Sequence, residues 1–135
     1  MFRILAGVFL IAHGLVHSGL AAAPIPNEPA SKPGAFFTDA TRSWLLSKIG
    51  LNAPAIRITG IVLVILATLS FLAAGLGVLG VAGFDSVWRG MTILSACLSL
   101  LLLGIFWHPW LVAGVLINIG ILVSLLWANW TSALS

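Results

Sequence analysis

The 135-residue chain is 61% hydrophobic and 7% charged, with a mean hydropathy of +1.19, so it has too little polar surface to coat a water-soluble globule. Its net charge of +3 comes from six basic against three acidic residues with no basic patch, which argues against a nucleic-acid partner and fits charges flanking membrane spans. One cysteine, Cys97 in an apolar run, rules out an intramolecular disulfide.

A helix needs about 20 apolar residues to cross roughly 30 Å of hydrocarbon. Four stretches meet that need, 3–23, 55–82, 87–106 and 109–129. The expected fold is therefore an all-α membrane protein, a single domain over 1–135 built as a four transmembrane helix bundle. The first span ends before Pro24 and Pro26, which lack the N–H that would continue it, whereas Pro54 and Pro109 suit first-turn positions. The second span runs into Gly75, Gly77, Gly80 and Gly83 and is expected to fray or tilt there. Asp85 is placed to cap the third span and to pair with Arg89 four residues on.

Residues 24–54 form the main segment outside the spans. Four prolines in 24–34 predict irregular chain. Beyond Phe36 and Phe37, Thr38 is positioned to cap a short helix that Gly50 closes, with Ala40, Trp44, Leu45 and Ile49 as an apolar stripe resting in the interface. Tryptophans collect at headgroup boundaries, which puts Trp44, Trp107 and Trp110 on one face and Trp88, Trp127 and Trp130 on the other. An even number of spans places both termini on one side. Lys32, Arg42, Lys48 and Arg57 favour a cytoplasmic first loop, while the opening MFR, the apolar run and the small residues 19–23 imitate a secretory signal and favour the reverse. Two histidines interrupting that run point to an uncleaved first helix.

Those histidines are the main candidates for function. His13 and His17 are four residues apart and share one helix face near mid-membrane. Ionisable groups at that depth face a bundle interior or a wet cavity and are functional candidates by default. Three chemistries fit: metal or haem ligation, for which His108, Glu28 or Asp39 would have to supply further ligands; contact with a quinone-like or lipid-like amphiphile; or hydrogen bonds across helices that fix packing. Asn118 in the fourth span is a costly polar group and a natural partner, and Trp107 in the Trp107-His108-Pro109-Trp110 turn is a further ligand-contact candidate.

The opening Phe2-Arg3-Ile4-Leu5-Ala6-Gly7, followed by Phe9-Leu10-Ile11-Ala12-His13-Gly14-Leu15, resembles the first helix of DoxX-like four-helix membrane proteins, and Phe106-Trp107, Gly114 and Ile117-Asn118-Ile119 are similar to the last helix of small membrane proteins with an Ala-His-Gly-x-x-His beginning. The resemblance implies a compact bundle and an accessory role near membrane redox enzymes. It supplies no catalytic residues. Where DoxX-like first helices often carry a lysine after Ala-His-Gly, this chain has His17, and its first loop is long and proline-rich.

No phosphate loop, positioned nucleophile and base, paired intramembrane carboxylates or inverted repeat occurs in the chain. The leading expectation is a non-catalytic, multi-pass protein of the cell membrane that holds an amphiphile beside His13 and His17, with 36–49 as a partial lid. Two alternatives stand beside it: a structural or assembly subunit that forms a homo-oligomer or docks onto a membrane redox complex, and a haem- or metal-dependent membrane oxidoreductase.

Overall fold

The structure, a computed structural model, describes residues 1–25, 27 and 35–127. Helix α1 spans Phe2–Ala22. Its end follows from Pro24, because the residue before a proline is pushed out of the helical region, and Ala23 is extended at φ −84°, ψ 153°. Three short elements follow: α2 (Ala35–Thr38), a 3-10 turn (Ala40–Arg42) and α3 (Trp44–Lys48). Helix α4 covers Ala53–Leu79, with Asn52 capping its start by accepting from the Ala55 N–H at 2.9 Å and Pro54 in its first turn. It stops at Leu79, short of 82, because Gly80 takes a left-handed φ of +83° and the Val81 N–H closes back on the Leu76 carbonyl, a Schellman-type end that suits glycine.

Helix α5 spans Trp88–Ile105. Asp85 does not cap it: the N-cap is Val87, without a side-chain bond, because the intervening chain is taken up by turns. The guanidinium of Arg89 reaches to the last turn of the final helix, donating from Nη2 to the Leu125 carbonyl at 3.1 Å. A 3-10 turn at Pro109–Leu111 then leads into α6, Val112–Trp127. Among the described residues four helices are thus long and apolar enough to cross a membrane, and the chain is an all-α, multi-pass membrane protein. Trp130 and the expected end of the last span at 129 lie outside the described residues.

The helices pack in chain order, α1 on α4, α4 on α5 and α5 on α6, while α1 and α6 share no extensive contact. Small residues set the closest approach. A Cβ on Gly75 would lie 2.7 Å from the Gly7 carbonyl, so α1 and α4 meet backbone to backbone, as helices do where glycines replace bulky side chains. Arg3 Nε donates to the Val78 carbonyl at the same end. The start of α1, the 80–87 turn and the last turn of α6 therefore share one end of the bundle, with Trp88 and Trp127. The first loop and the 106–111 turn, with Trp44, Trp107 and Trp110, share the other.

The helix expected over 38–49 is present only as the 3-10 turn Ala40–Arg42 and the short α3. Asp39 and Ser43 each accept a backbone N–H, from Thr41 at 2.9 Å and Leu46 at 3.2 Å, and these local bonds divide the segment. Nor is this segment a lid on the histidines. Phe36 and Phe37 are fully buried, and a Cβ at Gly60 would collide with the Phe37 carbonyl, so the segment plugs the loop end of the bundle. Of the expected stripe, Trp44 and Ile49 are exposed and Ala40 and Leu45 half-buried, whereas Leu46, outside the stripe, is buried. The Trp44 indole donates to the Gly104 carbonyl at 2.8 Å.

Two apolar clusters result. One lies at the loop end around Phe36, Phe37, Leu63, Leu102 and Phe106, and one at the other end around Leu10, Phe71, Ala74 and Val78. The buried polar side chains His13, His17, Ser99 and Asn118 lie between them.

Candidate functional site

Both histidines face the bundle interior, as their cost in hydrocarbon demands: His13 and His17 are buried, and so are Ser99 and Asn118. The rings of His13 and His17 meet edge to face at 5.2 Å, and Phe71 of α4 packs against both, at 4.9 and 5.8 Å. Gly14 makes room for that contact, since a Cβ there would lie 2.6 Å from Cβ of Phe71. Beside them Thr68 donates to the Gly14 carbonyl at 3.2 Å, and its hydroxyl lies 3.0 Å from that of Ser18.

The hydrogen bonds can be assigned by counting protons. His17 Nδ1 lies 3.0 Å from the His13 carbonyl, which only accepts, so Nδ1 carries the hydrogen. In the neutral ring Nε2 is then an acceptor, and the Ser99 hydroxyl, 2.6 Å away, donates to it. Ser99 Oγ in turn accepts from Asn118 Nδ2 at 2.7 Å, and the other hydrogen of that amide goes to the Gly114 carbonyl, also at 2.7 Å. The Gly114 carbonyl fixes the amide's orientation, because the oxygen of Asn118 could not face it. One directed chain thus joins α6, α5 and α1.

Two buried atoms stay outside this chain: Asn118 Oδ1 and His13 Nε2 have no hydrogen-bond partner. The two side chains are neighbours. Leaving a buried polar atom unpaired costs about 1–3 kcal/mol, and the two are complementary: with the hydrogen on Nε2, His13 is a donor facing the Asn118 carbonyl oxygen, so the α1–α6 pair answers its own need.

An apolar space lies farther toward the N-terminal end. A crevice of about 370 Å³ lies along the seam between α1 and α6, with Ala6, Phe9 and Leu10 on one wall, Ile121 and Leu125 on the other, and Val78 and Trp88 behind. Its walls are apolar apart from Thr92 and Ser124. Helical periodicity places His13 one turn beyond Phe9 and Leu10, and Asn118 one turn before Ile121. The polar pair therefore lies beyond the slot rather than in its lining, and the Phe9 ring, which is in the wall, lies parallel to that of His13 with centroids 6.0 Å apart.

The other sequence candidates are elsewhere. Trp107 is half exposed at the loop end. His108 stands edge-on to Phe36 at 5.7 Å, and its Nδ1 accepts from the Trp110 N–H at 3.2 Å, capping the 3-10 turn. Asp39 binds the Thr41 backbone and hydroxyl, and Glu28 lies outside the described residues. Among the described residues no three His, Cys, Asp or Glu side chains converge on one point.

Ser99 is the member of the site that sequence reasoning passed over. Its signal was the buried face Thr92, Ser95 and Ser99 on α5, three hydroxyls at helical spacing inside a span. No protein-family profile, curated protein or solved structure matches the chain.

Proposed function

We propose that this protein is a non-catalytic, ligand-holding bundle of the cell membrane, in which an amphiphile of quinone-like or lipid-like character lies in the α1/α6 crevice with its polar head toward His13 and Asn118. The observation that carries the reading is the apolar crevice between α1 and α6, with the buried polar side chains of His13 and Asn118 about one helical turn beyond its walls. Ligand pockets have this composition, apolar walls with a few convergent polar groups. A slot that opens between helices in the plane of the bilayer also receives an apolar tail without taking it through water. His17 and Ser99 hold Asn118 in place and need not touch the ligand. The likeness of residues 2–15 to DoxX-like first helices adds an accessory role beside membrane redox enzymes to the same reading.

Native mass spectrometry of protein released from native-lipid nanodiscs tests it. The wild-type chain should carry one small amphiphile that His13→Ala, with the crevice walls intact, loses. A wild-type protein carrying nothing beyond exchangeable bulk lipid overturns the proposal.

A second reading, an assembly subunit docking through α6, is favoured by one observation. Among the described residues helix α6 packs extensively only on α5, and Leu116 and Leu126 project outward, 64% and 69% exposed. Crosslinking in intact membranes from cysteines introduced at those two positions separates the cases, since an assembly subunit gives a discrete adduct and a lone bundle gives none.

A further inference from the structure

The α1/α6 crevice has a charged rim at its outer end. Phe2 and Trp88 line it there, and the residue after each is an arginine. Arg3 donates from Nε to the Val78 carbonyl, bridging α1 to α4, and Arg89 donates from Nη2 to the Leu125 carbonyl at 3.1 Å, bridging α5 to α6. Val78 and Leu125 also line the crevice, so backbone carbonyls of its own walls hold the two guanidiniums beside it. An arginine fork carries five N–H donors, and each of these bonds uses one. Among the described residues neither arginine is paired with a carboxylate: Asp39 lies at the opposite end of the bundle, bound to Thr41, and Asp85 in the 80–87 turn makes no ion pair. Both arginines are exposed, so their unused donors are open to a ligand from outside the protein.

From this arrangement we infer that the outer end of the crevice is a site for an anionic phospholipid of the leaflet on the N-terminal side, with its phosphate on Arg3 and Arg89 and one acyl chain between α1 and α6. Guanidinium forks match phosphate oxygens in geometry as well as in charge. The depth is right for a headgroup, since tryptophan marks that boundary and Trp88 adjoins Arg89. Long basic side chains at a helix end otherwise snorkel out to water. Bonding to the wall carbonyls holds these two over the crevice instead.

The crevice accounts for the tail. Its α1 wall runs from Phe2 to Leu10, a rise of about 12 Å at 1.5 Å per residue, which is close to one leaflet's share of a hydrocarbon core about 30 Å thick. The two hydroxyls in the lining are turned back onto backbone: Thr92 donates to the Trp88 carbonyl at 2.7 Å and Ser124 to the Ile121 carbonyl at 2.9 Å. An acyl chain entering from the headgroup side therefore meets only apolar wall. Free inorganic phosphate would gain the arginines and nothing from the walls, so a lipid is the occupant that the whole site fits. The chain stops short of His13 and Asn118, which lie about a turn farther in. The inference thus goes beyond the amphiphile reading given above and does not need it; sharing one crevice, the two ligands compete.

Native mass spectrometry of the full chain, released from nanodiscs of equal phosphatidylglycerol and phosphatidylcholine, tests the site. The wild type should retain phosphatidylglycerol over phosphatidylcholine by at least about fivefold, the factor for one basic residue near an anionic surface. Joint Arg3→Gln and Arg89→Gln should bring the ratio to one. Ile121→Phe, which narrows the crevice and leaves both arginines, should also lose retained lipid; if it keeps the wild-type amount, charge alone recruits the lipid and the seat between α1 and α6 is wrong. Should the glutamine variant fail to fold, thermal unfolding of the wild type in maltoside micelles replaces it, where added phosphatidylglycerol should raise the midpoint more than phosphatidylcholine does and an equal rise counts against the site. Equal retention of the two lipids by the wild type overturns the inference and leaves the amphiphile reading standing, because that reading is judged by the small molecule that His13→Ala loses. Phosphatidylglycerol retained by the wild type and by His13→Ala alike, with no small amphiphile in either, supports the lipid site and sinks the amphiphile reading alone.

Discussion

Ser99 donates its hydroxyl proton to Nε2 of His17 across 2.6 Å, and this bond makes the histidine a fixed part of the structure rather than a free base. Its direction is dictated from the other side of the ring, where Nδ1–H is held by the His13 carbonyl. In the neutral ring His17 is thus the Nδ1–H tautomer. Nitrogen-15 spectra of labelled protein should show a protonated Nδ1 and an unprotonated Nε2 for His17; the opposite tautomer would refute the proton count on which the orientation of the whole chain depends.

Removing the middle of that chain should cost more than one bond. Ser99→Ala leaves His17 Nε2 unpaired in a fully buried position and takes one of the two acceptors from Asn118 Nδ2. An unpaired buried polar atom costs about 1–3 kcal/mol, against roughly 0.6 kcal/mol for the average interhelical bond in a membrane. A loss near the upper value is expected on unfolding in mixed micelles. Ser95→Ala, on the same face but bonded only to its own helix through Thr92, serves as the control and should lose less.

The contact between α1 and α4 makes a prediction of the opposite kind, steric rather than polar. Gly75→Ala sets a methyl 2.7 Å from the Gly7 carbonyl and 2.5 Å from Ile11 Cγ1. Ile11 can turn away, but the carbonyl cannot, so the helices must separate. Overpacking of this sort costs about 1–3 kcal/mol. Gly19→Ala and Gly90→Ala, in helices where a Cβ meets nothing within 4 Å, should be neutral or slightly stabilising, since alanine is the better helix former by about 1 kcal/mol. The same mixed-micelle unfolding reads all three.

What could be read from the chain before its structure divides along physical lines. Spans were legible because hydrocarbon imposes a length, and their ends because Pro24, Pro54 and Pro109 remove donors at known places. His13, His17 and Asn118 stood out for their cost. Ser99 did not, because a serine that bonds its neighbours is inexpensive in a helix and leaves hydropathy almost unchanged. The open seam was equally hidden: α1 and α6 are apolar over most of their surface, and nothing in hydropathy says which pairs of helices touch. The segment 38–49 misled for a local reason, since a helical stripe ignores the bonds that Asp39 and Ser43 make to their own backbone.

Asp39 offers a test by pH outside the membrane. Hydrogen bonds from the Thr41 hydroxyl and N–H, with help from nearby Arg42, hold its carboxyl below the ordinary value of 3.8. Since the folded value is the lower one, the cap's contribution is complete above 3.8 and is lost as pH falls through the folded value. Exchange of the Thr41 amide hydrogen should therefore quicken on acidification, relative to neighbours and after correction for intrinsic rates. Asp39→Asn should show no such step, and an unchanged ratio in the wild type would dismiss the cap as a contributor.

Filling the crevice distinguishes a ligand site from a packing fault. Ile121→Phe adds volume to a wall of the 370 Å³ space without touching His13, His17, Ser99 or Asn118. Were the space only imperfect packing, the larger side chain would gain van der Waals contacts and raise stability, and nothing else would change. If an amphiphile occupies it, the variant should be at least as stable when stripped of small molecules, yet lose the stabilisation that added 4-octylphenol confers on the wild type, which grows with the logarithm of ligand concentration above its Kd. Thermal unfolding of both proteins in nanodiscs, with and without the phenol, measures the two effects separately. A variant that gains stability and still responds to the phenol as the wild type does would place the ligand somewhere other than between α1 and α6.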